Sequence, residues 1–406
     1  MFVSKAYIAL PIMNEPDLAM VMADIAKQTY QNMEVFVCVN QAEVPRLQIK
    51  KDVSYLQNQK TLLYLQSLDY PFPLHIIDKS SEGKAWTLQN YGVGMARKTL
   101  MDAIVSQANF KDVILSMDAD THYPCEYVAS VMAVFNAKPK AVGLANPYFH
   151  PLVETSQSYA SAINKAILRY EIYMRTYAFH LGLTKHPYSF TAIGSAMALP
   201  VWAYCKIGGL SPHKSGEDFY LFQKLAKIGP IETFSGTVAY PSPRASQRVC
   251  FGTGPAVIKG MQNDWKSYPI YPLSLFQNIE KTYQAFARLY TEDISDYPLY
   301  TFLSDKFGLD WYRPLRKNAK TQAQFQKNCV EKLDALRSLQ YLKASYTQND
   351  AEDSKNLQNL LNILAYPHCT HFDFTTASVE DLDQIRCFLA GYNWEMRMRN
   401  EVEGFR

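Results

Sequence analysis

Four short apolar runs, each stopping abruptly at polar residues, constrain this chain more than any other feature. They are Tyr7-Ile8-Ala9-Leu10-Pro11, Glu34-Val35-Phe36-Val37-Cys38-Val39-Asn40, His75-Ile76-Ile77-Asp78 and Val113-Ile114-Leu115-Ser116-Met117. Between the first two, Leu18, Val21, Met22 and Ile25 recur at helical spacing, with Asp17 near the helix N-terminus. Strand, helix, strand with nearly continuous apolar strands predicts an α/β fold: a mostly parallel sheet covered by helices on both faces. Open sheets of this kind bind ligands outside the carboxyl ends of their strands. The polar residues that end each run are therefore where chemistry is expected.

The fourth run leads into Asp118-Ala119-Asp120. If the strand continues through them, side chains alternate with period two and both carboxylates project to one side. Two carboxylates so placed repel unless a cation lies between them. Mg2+ or Mn2+ takes oxygen ligands from one or two carboxylates together with substrate phosphates. The plain alternative is a polar turn closing a strand.

Residues 41–74 read as a polar, Gln- and Lys-rich insertion with a helical stretch around residues 62–68. Gly83-Lys84 and Asn90 precede the next helix, and a Gly-Lys pair entering a helix offers a cation and free N–H groups to a phosphate. The full phosphate-loop spacing is missing, and Gly92-x-Gly94 is too little for a dinucleotide fingerprint. Residues 128–135 read as a helix, 141–145 as a strand and 154–181 as a long Tyr-rich helix with Ile163, Ile167 and Met174 in the core. Residues 191–199 read as a strand in which Gly194 admits the close approach of another group. In Ser215-Gly216-Glu217-Asp218, Gly216 breaks the chain and the two acids open a helix that is buried through Phe219, Phe222 and Leu225. Acids there offset the helix dipole. A carboxylate beside a second acid can equally serve as a general base. Arg244 and Arg248, followed by Gly252-x-Gly254, could wrap a diphosphate with planar charged donors and close backbone approach, or form a surface loop.

Lys and Arg number 41 against 38 Asp and Glu, a net charge of +3. That balance announces no polyanion-binding surface, and no nucleic-acid partner is expected. The 7 Cys are scattered without a C-x-x-C pair, which argues against a disulfide framework or structural zinc and suits a reducing cytoplasm. No signal-like N-terminus and no run of about 18 apolar residues is present. A soluble cytoplasmic protein is expected, with peripheral membrane contact and homo-oligomer formation left open. From about Trp265 the pattern turns helical. Phe276, Ile279, Tyr283, Phe286 and Leu289 mark one face; Phe325, Cys329, Leu333, Leu336 and Leu339 mark another. His368-Cys369-Thr370-His371 has no further ligand cluster nearby in sequence. The expected division is residues 1–255 as a catalytic domain and 256–406 as a helical region of unassigned role.

Leu10-Pro11-x-x-Asn14-Glu15, Gly83-Lys84 with Asn90, Asp118-Ala119-Asp120 and Gly216-Glu217-Asp218 follow one another across roughly residues 5–255. In that order and spacing they resemble the family 2 inverting glycosyltransferases with the nucleotide-diphospho-sugar transferase (GT-A) fold. The resemblance implies that Pro11, Asn14 and Glu15 line a nucleotide pocket, with Lys84 and Asn90 on the donor side. It implies that Asp118 and Asp120 meet the ribose and the diphosphate bridged by Mn2+ or Mg2+, that Arg248 and Arg244 add positive charge, and that Asp218, beside Glu217, is the catalytic base. Asn40 stands where the family commonly has an acid that reads the base. An amide donates as well as accepts, so the nucleotide is open, with a UDP-sugar as first expectation. The Trp that often closes the Arg-containing loop is missing.

The implied activity is transfer of a sugar from a nucleotide-diphospho-sugar donor to a hydroxyl of a glycan, lipid-linked or protein acceptor. The anomeric centre is inverted, in glycan or cell-envelope polysaccharide synthesis. One alternative is an inactive carbohydrate- or nucleotide-binding scaffold on the same fold. A sugar nucleotidyltransferase is another. It would carry a Gly-rich, basic loop after the first strand, where this chain has Pro11-Ile12-Met13-Asn14-Glu15.

Overall fold

The computed structural model describes residues 4–45, 48–154, 156, 159–246, 252–367 and 371–403. By its internal contacts the chain divides into two units, Met1–Ile167 with Thr191–Ile258, and Leu168–Phe190 with Lys259–Arg406. The second unit therefore draws on the middle of the chain as well as its C-terminal region.

In chain order the strands are β1 (Ala6–Ile12), β2 (Met33–Asn40), β3 (Leu74–Lys79), β4 (Val113–Ser116), β5 (Thr121–His122), β6 (Gly143–Ala145), β7 (Met197–Pro200), β8 (Ile231–Glu232) and β9 (Tyr240–Pro241). The first eight helices are α1 (Leu18–Ala26), α2 (Val53–Ser67), α3 (Val93–Val105), α4 (Tyr127–Ala137), α5 (Ala160–Leu183), α6 (Val201–Lys206), α7 (Glu217–Ala226) and α8 (Thr253–Met261). Seven strands form one sheet in the order β3-β2-β1-β4-β7-β6-β8, and β5 pairs with β9 apart from it. The run β3-β2-β1-β4 is parallel; β7 is antiparallel to both neighbours, and β8 is parallel to β6. Every residue of β1 and β4 is buried, which is why both read as unbroken apolar runs. A mostly parallel sheet flanked by helices, with a helical region after it, is the fold the sequence led us to expect. Because the four parallel strands share a direction, the chain leaves them after Ile12, Asn40, Lys79 and Ser116 at one edge of the sheet.

Local expectations are corrected at five places. The helix after Gly83-Lys84 begins only at Val93, while Lys84 N–H closes a separate turn on Ser81 O at 2.9 Å. The Gly-Lys pair thus does not open a helix. The strand expected over 191–199 is confined to Met197–Pro200, because Ala196 N–H turns back to Ile193 O at 2.8 Å. β4 ends at Ser116, so Asp118 and Asp120 lie in the turn beyond it and strand alternation does not aim them. On α7 the buried face runs through Leu221, Phe222 and Leu225, with Phe219 only half-buried. The fifth is in the second unit.

That unit continues with α9 (Leu273–Ala285), α10 (Tyr300–Phe307), α11 (Arg313–Asn318), α12 (Gln322–Lys332), α13 (Ala335–Ser345), α14 (Asp350–Ile363) and α15 (Val379–Glu403). Its core holds Phe276, Ile279, Phe286, Leu289, Leu303, Phe325, Cys329 and Leu333. The face expected to run on through Leu339 is broken because Asp334 caps a new helix, its carboxylate accepting from Arg337 N–H at 3.1 Å. Leu336 and Leu339 are left half-buried. Residues 368–370 of the His-Cys-Thr-His segment lie outside the described residues. Among the described residues no helix is long and apolar enough to cross a membrane.

Candidate active site

Two guanidinium groups organise the acids at the carboxyl edge of the sheet. Arg97, on α3, has a side chain only 4% exposed. Its Nε donates to Ser116 Oγ at 3.0 Å, one terminal nitrogen to Asp118 Oδ1 at 2.5 Å, and the other to Glu217 Oε1. One residue thereby joins the end of β4, the turn after it and the start of α7. The group that approaches Gly194 is this same guanidinium: a β-carbon at position 194 would overlap it. Sequence reasoning passed over Arg97, since an arginine inside a helix reads as part of the solvated face.

Arg244 forms the second centre. It donates to both carboxylate oxygens of Glu15, one of them at 2.9 Å, and to Asp120 Oδ2 at 2.9 Å. The small sheet brings them together: Thr121 pairs with Pro241, and Ser242 N–H donates to Asp120 O at 3.2 Å. Asp118 and Asp120, one residue apart, are thus held by different arginines. Arg248 lies outside the described residues.

The turn carrying the two acids is pinned from below. Asp118 N–H donates at 2.9 Å to Tyr123 Oη, which donates in turn to Ser195 O at 2.8 Å. Tyr123 is fully buried. Tyr123→Phe should orphan both groups and cost about 1–3 kcal/mol, measured as a lower urea midpoint with unchanged slope.

α7 starts on Gly216 in the left-handed region, φ +76°, where a side chain would be strained. This places Glu217, which is buried, and Asp218, which is half-buried, on the first turn. Asp218 Oδ1 accepts from Phe219 N–H at 2.8 Å. Three carboxylates, those of Asp118, Glu217 and Asp218, therefore act on one guanidinium. Burial works against the charge of Arg97, but the three acids outweigh it and hold the group firmly protonated. Asp218 is pushed up to about 7 by burial and by the neighbouring Glu217, with Arg97 opposing. Burial also raises Asp118, against the pull of Arg97 and with the help of Asp120.

The first two strand ends are tied together by a residue from the polar insertion. Asn58, on α2, is fully buried: its Oδ1 accepts from Asn14 N–H at 2.8 Å, and its Nδ2 donates to Gln41 Oε1 at 2.7 Å and Asn40 O at 3.2 Å. Asn40 is itself buried, its Nδ2 donating to Ile12 O at 2.9 Å. Pro11 lies in β1 opposite Cys38. Lys84 is exposed and pairs with Asp78 at 3.2 Å. Burial would raise Asp78, but donors from Ser81, Ser80 and Lys84 hold it down at about 2. Asn90 is exposed, its N–H closing a turn on Thr87 O at 2.9 Å. The polar insertion thus supplies a fastener for the ends of β1 and β2, and no motif marked Asn58.

Among the described residues no group of three or more His, Cys, Asp or Glu side chains stands ready to hold a metal ion. Mg2+ and Mn2+ do not require one, because they complete a shell of one or two carboxylates with water and substrate phosphates. Asp118 is raised by burial against the pull of Arg97, which already engages its Oδ1 at 2.5 Å. With Asp120 it makes an oxygen-donor pair that fits such an ion when a diphosphate is also present.

No known family's sequence profile matches the chain, and no curated protein does. Among solved structures, S. aureus TarS 1–349 in complex with UDP-GlcNAc is 14% identical, covering 96% of this chain and 92% of that one, with a TM-score of 0.41. S. aureus TarS 1–349 in complex with UDP is 13% identical over 81% of this chain and 90% of that one, TM-score 0.39. GalNAc-T7 with UDP, GalNAc and Mn2+ is 11% identical over 80% of this chain and 56% of that one, TM-score 0.36.

Proposed function

We propose that the chain is a glycosyltransferase that moves a sugar from a nucleotide-diphospho-sugar, first a UDP-sugar, to an acceptor hydroxyl with inversion. The catalytic role is given to residues 1–255, and the acceptor is a glycan, a lipid-linked intermediate or a protein. The observation that carries this is the placement of Asp218: a carboxylate held at about 7 at the head of α7, next to Glu217, which shares the Arg97 guanidinium with Asp118 at the ligand edge of the sheet. A general base works best with a pKa near the operating pH.

In this reading Asp218 accepts the proton of the acceptor hydroxyl as its oxygen attacks the anomeric carbon in line with the departing diphosphate. Burial keeps Asp218 basic, and the negative charge of Glu217, itself fixed to Arg97, adds to it. Arg244 holds Glu15 and Asp120 at the donor side. A Mn2+ or Mg2+ ion held by Asp118, Asp120 and the diphosphate would neutralise charge on the leaving group as a Lewis acid. One displacement inverts the centre, and no covalent intermediate is required.

Calorimetric titration with UDP, GDP, dTDP and CDP, each with and without Mn2+, tests this. The expected result is metal-dependent binding of one nucleotide, abolished in Asp120→Ala. If none binds in either condition, the inactive scaffold becomes the better account.

A further inference from the structure

We propose that Arg97 is a positioning residue of the transfer: its fork sets the separation between the donor-side turn carrying Asp118 and the head of α7 carrying the base. This rests on the transferase reading and assigns that site a part it has so far lacked.

Four features single Arg97 out from a buried ion pair serving stability alone. Its two terminal nitrogens go to carboxylates on different elements, 99 residues apart in sequence, Asp118 and Glu217. A planar guanidinium holds two such partners at a fixed spacing, which a lysine ammonium does not. The third nitrogen, Nε, is anchored at 3.0 Å to Ser116 Oγ, so rotation of the fork is blocked from the strand side. Gly194 also lies against the fork, where even a methyl group would occupy the guanidinium's place. The fork is therefore held at Nε and crowded by Gly194, while its two terminal nitrogens reach the acid at the donor side and the acid preceding the base. Asp218 is joined to Glu217 through the helix backbone, so any rotation of the fork is passed to the base. Misplacement of a reacting group by about 1 Å can cost about 10²-fold in rate.

Ser116 and Gly194 provide a way to move Arg97 without altering a carboxylate. The experiment compares Ser116→Ala, Gly194→Ala and Arg97→Lys with the unsubstituted protein. It measures UDP affinity by calorimetry in Mn2+, and kcat and KM with UDP-GlcNAc as donor probe, following UDP release. The expected result is a fall in kcat of about 10²-fold in Arg97→Lys and about 10-fold or more in Ser116→Ala. UDP affinity should stay within about threefold. A purely structural residue would lower the melting temperature in all three and leave kcat per folded molecule unchanged; that outcome overturns the proposal. So does an equal loss of UDP affinity and rate, which would place Arg97 in donor binding. Ser116→Ala keeps the question decidable if Gly194→Ala fails to fold. If the unsubstituted protein binds none of UDP, GDP, dTDP and CDP, the transferase reading falls and this one with it; if it binds another of the four, the same comparison is made with that nucleotide and its sugar donor. Turnover in the unsubstituted protein that the variants leave intact overturns only the role of Arg97.

Discussion

Replacing Asp218 with asparagine is expected to lower turnover by about 10²–10⁴-fold, the usual contribution of a positioned general base, with nucleotide affinity little changed. Asparagine keeps the size and the Phe219 N–H contact but cannot take a proton. The unsubstituted enzyme should show kcat rising with pH and half-maximal near the value of about 7 at which Asp218 ionises, and the variant's residual rate should lack that step. The same group makes a stability prediction of definite sign. Its folded value of about 7 lies above the ordinary aspartate value of 3.8, so between those limits the folded protein binds more protons than the unfolded chain. Stability from this group must then fall as pH rises through the window. Asp218→Asn, which mimics the protonated form, should melt at a higher temperature than the unsubstituted protein at pH 8. The advantage should shrink steadily below pH 7 and vanish near 3.8. A variant with full turnover, or one that melts lower at pH 8 than at pH 5 relative to the parent, would remove Asp218 from the role of base.

Much of the first unit was legible because its strands are buried on both faces. β1, β2 and β4 leave little choice but apolar residues, and polar residues resume where the sheet ends and ligands bind. That logic leads to Asn40 and Asp118 from the strand pattern, while Glu15 is singled out only by the family resemblance. The pattern failed where a contact is decided by another element. Arg97 and Asn58 sit inside helices, and nothing in the periodicity of α3 or α2 tells a buried arginine or asparagine from an exposed one. Their roles come from Asp118, Glu217 and Asn14, each far off in sequence. Gly194 shows the intermediate case. Its lack of a side chain predicted a close neighbour, while the identity of that neighbour required the fold. The Gly83-Lys84 pair failed for a different reason: the helix that should follow it is delayed to Val93. Lys84 meets Asp78 across a turn and does not stand at a helix terminus.

Removing the Arg97 charge should produce the largest stability loss in the unit. Arg97→Met keeps the length and apolar stem but leaves Asp118, Glu217 and Asp218 around a neutral thioether, and breaking a buried ion pair from one side costs about 3–5 kcal/mol. The loss should depend on pH in a way a packing defect does not. At pH 8, above the value of about 7 at which Asp218 ionises in the intact site, the charge on Asp218 would stand without the compensation of Arg97. At pH 5 Asp218, which already holds its proton to about 7 in the intact site, is neutral, and with Arg97 no longer opposing it the proton is held still more tightly. The urea midpoint of Arg97→Met should therefore lie further below that of the unsubstituted protein at pH 8 than at pH 5. Adding Glu217→Gln removes the partner left without a counter-charge. The two changes together should then cost less than their sum, by a coupling of about 0.5–3 kcal/mol. Strict additivity would mean that Arg97 and Glu217 do not sense each other, and the site would have to be rebuilt around Arg244 alone.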